Sequence, residues 1–232
     1  MFHCSRLFRQ VAPTIGLCLC CALANAQQNT AAATLTDISS LGAQSSAVAR
    51  IVNQGIIAPL SPGNFGPQEI ISRRQFAVAM KRMFDLQIPP HPPAIHDLAD
   101  SDPDAAAIKA TASFMQSQAF CPTCALNNNF EPDAPMSEIL QAVTLTSILE
   151  SRHHFALVST SDAESILSAS PSLPHVATPA RIFLATAVRN NIVTLDDLQA
   201  RQGVLNVVTR ANAAILLDTI QQRFKIPTVQ IP

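Results

Sequence analysis

Trp and Tyr are absent from the 232-residue chain, and Gly occurs only six times. Sheet proteins use these aromatics for cross-strand packing, so their absence argues against a β architecture. Charge is sparse too: 13% of residues are Asp, Glu, Lys or Arg, and the net charge is −1. Nucleic acid needs a clearly basic face, which this balance does not supply. No G-x-S-x-G, H-E-x-x-H or phosphate-cradling loop occurs, so the chain is not read as an enzyme and no cofactor is expected. Ala, Leu, Ile and Val are plentiful, which favours an all-α fold.

Residues 1–26 read as a signal peptide. Arg6 and Arg9 form a positive start, Val11 to Leu23 is largely apolar, and Ala24-Asn25-Ala26 is a small-residue cleavage site. The apolar run is too short for a membrane span, and the mature part holds no longer one. Removing Arg6 and Arg9 leaves 13 basic against 16 acidic residues, a net −3. The expected location is exported: periplasm, cell wall or cell surface.

After a polar start at 27–36, the chain alternates helical stripes with Pro- and Asn-rich turns. Ala47, Val48, Ile51 and Val52 make one stripe, ended by Gly55. Ser72 then caps a helix to about Phe84, with Gln75 completing a capping box and Phe76, Ala79, Met80 and Met83 on one face. Pro-rich 87–95 is a stiff linker. An Ala-rich helix is predicted over roughly 104–118, and a helix capped by Ser137 runs to about Glu150. The less regular 153–173 holds one short helix, with Ser161 and Glu164 as its capping box. Helices over Ile182 to Asn190, with Asn191 as a left-handed cap, and over Arg210 to Phe224, capped by Thr209, complete the pattern before the tail 227–232.

These stretches repeat. Asp37 precedes Ala47-Val48 by the separation at which Asp97 precedes Ala107-Ile108. Phe65-x-Pro67 stands seven residues before Ser72, and Phe130-x-Pro132 stands seven before Ser137. Ser72-Arg73 matches Thr209-Arg210, and the stripe of the first round corresponds to Ala213, Leu216, Leu217 and Ile220. In the second round the same offsets give Gln141, Thr144, Leu145 and Ile148. A helix–turn–helix unit of this size cannot bury its stripe alone, whereas three around a common axis can.

The ordered set — an Asp-led start, Gly55-Ile56-Ile57, Gly63-Asn64-Phe65-Gly66-Pro67 and a Ser/Thr-Arg helix start — resembles the S-layer homology (SLH) repeat. Three repeats are read at 37–86, 96–152 and 174–226. The resemblance implies a pseudo-threefold helical bundle of helix–loop–helix units. It also implies a non-catalytic module that binds peptidoglycan or an anionic wall polysaccharide in grooves between repeats. A degenerate scaffold that binds other envelope proteins is the alternative.

Arg73 and Arg210 are the expected ligand contacts. A guanidinium just inside a helix start offers a fork of donors to a carboxylate. Arg74, in contrast, is expected to face solvent. Glu138 replaces the Arg in the second repeat and would repel an anionic polymer, so that groove is expected to be weak or lost. Asp37 and Asp97 could accept sugar hydroxyls or cap their loops. The run Asp97, Asp100, Asp102 and Asp104 lacks the Gly and closing Glu of a calcium loop, and no metal is expected. Cys121-Pro-Thr-Cys124 reads as a local disulfide; a thiol–disulfide redox pair, or zinc with His153 and His154, are the other readings.

Overall fold

Ser72, Ser137 and Thr209 each begin a helix by the same chemistry. Their side-chain oxygens accept from the backbone N–H three residues on, at Gln75, Leu140 and Asn212. Each cap is extended, so the residue before it leaves the helix path and meets other parts of the chain. Gln75 reaches back to the Ser72 N–H and completes the expected capping box.

A computed structural model describes residues 35–115, 128–169, 176, 178–198 and 206–228. The segments 1–26 and Cys121–Cys124 lie outside them. Among the described residues the chain is helical, with no strand. The helices are α1 (Ser45–Asn53), α2 (Arg73–Phe84), α3 (Ala105–Met115), α4 (Glu138–Ser151), α5 (Thr160–Leu167), α6 (Thr178–Arg189), α7 (Leu195–Leu198) and α8 (Arg210–Phe224). A 3-10 segment, Ser39–Gln44, leads into α1.

Two details differ from the sequence reading. Ser159, not Ser161, caps α5, because its hydroxyl lies at 3.1 Å from the Asp162 N–H. α6 starts at Thr178, a turn before Ile182. The left-handed residues that end or shape the loops include Gly55 (φ 68°) and, at the matching place, Asn191 (φ 49°).

The residues just before the three caps meet in a closed cycle. Ile71 N–H donates to the Val208 carbonyl at 3.0 Å, Val208 N–H to Met136 at 2.9 Å, and Met136 N–H to Ile71 at 2.9 Å. All three residues are buried. Buried backbone groups must find partners, and here each finds one on another segment.

Outside this cycle the helices pack in pairs. α1 packs on α8, α3 on α2, and α6 on α4. The inward stripe is the one expected for α2 and α8, with Phe76, Ala79, Met80, Met83, Ala213, Leu217 and Ile220 buried and Leu216 partly buried. α4 carries polar residues on its equivalent stripe. Thr144 is buried because its hydroxyl donates to the Leu140 carbonyl at 2.7 Å, one turn back. Replacing Met136 by Ala is expected to lower the unfolding free energy by about 2–5 kcal/mol, read by urea denaturation under far-UV circular dichroism, because a fully buried side chain is lost from the axis.

Candidate functional site

Each Asp-led start is tied to its own turn. The Asp37 carboxylate accepts from Phe65 N–H at 3.0 Å and Gly66 N–H at 2.7 Å. The Asp97 carboxylate accepts from Phe130 and Glu131 N–H, both at 2.7 Å. Burial works to raise the Asp37 pKa, but the amides of Phe65, Gly66 and Asp37 itself, with the charge of Arg210, together hold the carboxyl below its ordinary value. Gly66 has φ 69°, a left-handed conformation that glycine adopts without the strain a side chain brings. Glu131 holds the same left-handed conformation (φ 54°) in the second turn.

The turns are then gripped by arginines from neighbouring rounds. Arg210 is only 2% exposed. Its Nε donates to the Phe65 carbonyl at 2.8 Å and its Nη2 to the Ala58 carbonyl at 2.6 Å, while the guanidinium lies 4.8 Å from the Phe65 ring centre. Burial lowers its pKa, and the charges of Asp37 and Glu69 oppose that shift. Arg73 repeats the arrangement one round on: its Nη1 donates to the Phe130 carbonyl at 3.2 Å and pairs with Glu131 at 2.8 Å. Its side chain is 15% exposed. The structure thus places Arg210 with Asp37, and Arg73 with Asp97, each pair meeting at one turn.

Arg74 is only partly exposed and is tied to carboxylates. It donates to both carboxylate oxygens of Asp102, at 2.6 and 2.7 Å, and to Asp133 at 3.2 Å. The bond to Asp102 raises the guanidinium pKa, and the same bond lowers that of the Asp102 carboxyl. Asp100 pairs with Lys109 instead, so this acidic run is divided between partners. Among the described residues no group of His, Cys, Asp and Glu suits a metal ion.

Beside Arg210 opens a groove of about 280 Å³. One wall is the Ile56–Leu60 segment, another is Gln75, Val78 and Arg82 of α2, and Asp104 and Arg210 come from the two other rounds. Arg82 is held by a hydrogen bond to the Gly55 carbonyl at 2.9 Å. A second groove, also about 280 Å³, takes Ile192 and Val193 where the first has Ile56 and Ile57, and Asn212, Ile215 and Thr219 where it has Gln75, Val78 and Arg82. Glu138 stands in it where Arg210 stands in the first. Sequence reasoning missed Gln75, Val78 and Arg82 as groove walls. Their signal was the α2 face beside the apolar stripe, which reads as ordinary helix surface.

Residues 34–77 match the S-layer homology domain. No curated protein matches the chain. S-layer homology domains are non-catalytic modules that bind cell-wall polymers at the cell surface. The matched segment contains Asp37, the Phe65–Pro67 turn and Arg73, and supplies most of the first groove's walls.

Two outcomes follow for stability. Arg210→Ala should cost on the order of 3 kcal/mol or more in urea unfolding, since two carbonyls lose their donor inside the fold, and Arg73→Ala about 1 kcal/mol. Asp37 and Asp102 have carboxyl pKa values held below 3.8, so their contribution is present above that value and is lost as pH falls through the lower folded value. The double variant Asp37→Asn, Asp102→Asn should therefore show a thermal midpoint that changes less than wild type below about pH 4.

Proposed function

We propose that the chain is an exported, non-catalytic cell-envelope module that anchors to peptidoglycan or to a peptidoglycan-linked anionic polysaccharide. Residues 1–26 act as the signal peptide in this reading, and Cys121 and Cys124 form a local disulfide suited to an oxidising compartment. The mature chain is a pseudo-threefold bundle of three SLH-like repeats. The cycle through Ile71, Met136 and Val208 supports that reading, as does the packing of the helix pairs.

One observation carries the functional proposal. The groove beside Arg210 joins residues of all three rounds, and most of its wall lies in the segment that matches the S-layer homology domain. Arg210 uses Nε and Nη2 on carbonyls, and with Arg82 it gives the groove two cationic groups against Asp104. Such a surface suits a carboxylated or phosphorylated sugar. Arg73, held on the Phe130 carbonyl and Glu131, is the corresponding ligand contact in this reading. Asp37 and Asp97 act through the turns they fix, because each carboxylate already accepts two amide N–H groups.

The same commitment of these side chains to intramolecular bonds favours a second reading, in which the repeats form an envelope scaffold that binds proteins. Co-sedimentation with purified sacculi separates the two. Wild-type protein is expected to pellet, and Val78→Trp, which fills the groove from a partly exposed position on α2, should reduce retention about tenfold while circular dichroism is unchanged. Wild-type protein left in the supernatant, both before and after accessory polymers are stripped, would overturn anchoring and select the scaffold.

A further inference from the structure

The groove that contains Glu138 differs from the first in the charge of its lining. Its acidic members are Glu138 and Asp197, and no basic side chain lines it among the described residues. The first groove has Arg82 and Arg210 with Asp104, so the sign of charge is reversed between two cavities of equal volume. The second difference is Gln141. It occupies the stripe position that holds Phe76 in the first round and Ala213 in the third. It is 5% exposed, lines the groove, and its side-chain amide nitrogen has no hydrogen-bond partner among the described residues. A buried amide N–H without an acceptor costs stability, and an acceptor oxygen on a ligand would recover it.

The rest of the lining completes a recognisable chemistry. Ile215 and Leu216 present an apolar surface, and Asn212 adds an amide that both donates and accepts. Asp197 already accepts from the Thr194 N–H and hydroxyl, at 2.9 and 2.6 Å, and keeps its negative charge. A ligand that complements this lining has an ammonium group beside the carboxylates, oxygen atoms for the amides and a C–H face for the apolar wall. We propose that this groove binds a saccharide unit carrying a free amino group. The proposal stands apart from anchoring to an anionic polymer, which uses the other groove.

The test is a titration of uniformly 15N-labelled mature protein with D-glucosamine, N-acetyl-D-glucosamine and D-glucuronate at pH 6, where the free amine is protonated. D-Glucosamine should give saturable shifts at the amides of Asn212 and Ile215. N-Acetylation, which removes the charge, should weaken binding about tenfold, as should Glu138→Gln and Gln141→Leu, each with an otherwise wild-type spectrum. Three results would overturn the proposal: no saturable shift with D-glucosamine, equal binding of the N-acetylated sugar, or unchanged affinity in both variants. D-Glucuronate should leave these amides unmoved, and shifts there with D-glucuronate instead of D-glucosamine would also overturn it. Sacculus retention through Val78 is read separately, so either idea can fail alone.

Discussion

Three backbone hydrogen bonds close on themselves at the centre of the fold, from Ile71 to Val208, from Val208 to Met136 and from Met136 to Ile71. Each of these residues precedes a helix cap, where the chain is extended and its N–H and carbonyl have no helical partner. All three are buried, so water cannot take the place of a missing bond. The result is mutual dependence: removing any one segment orphans a donor on one neighbour and an acceptor on the other. The bonds tie together three segments that lie far apart in sequence within one hydrophobic core.

The two grooves likewise join segments that are far apart in sequence. Each is walled by one stretch of the chain and finished by residues distant from it in sequence, so its shape depends on the tertiary fold. Arg210 shows how closely support and site are joined. Its guanidinium fixes the turn through Phe65 and Ala58 and also forms part of the groove. Arg74 binds α2 to the Asp102 segment without lining either of the two grooves described. Two adjacent arginines on one helix start thus have different roles, decided by which neighbour each one meets.

Much of this was legible from residue spacing. The caps at Ser72, Ser137 and Thr209 and the apolar stripes follow local rules, in which a side chain satisfies a nearby amide or a helix face meets a core. The pairing of Asp37 with the Phe65 turn had only a weak signal, the repetition of both elements at similar distances. That distance is 28 residues in the first round and 33 in the second, so register alone could not fix it. Arg74 was misjudged because its partners, Asp102 and Asp133, lie 28 and 59 residues away, and no local rule brings them close. The groove walls were hidden for a related reason: Gln75, Val78 and Arg82 look like solvent-facing helix until a neighbouring round is placed beside them.

Closure predicts a specific pattern of exchange. If the three rounds form one cooperative body, the amides of Ile71, Met136 and Val208 exchange with solvent only through global unfolding. Native-state hydrogen exchange in rising urea should then give all three the same opening free energy, equal to the free energy of unfolding. A markedly lower value at any one of them, with the other two still protected, would mean that its round opens independently and would contradict the closed cycle as the basis of the fold.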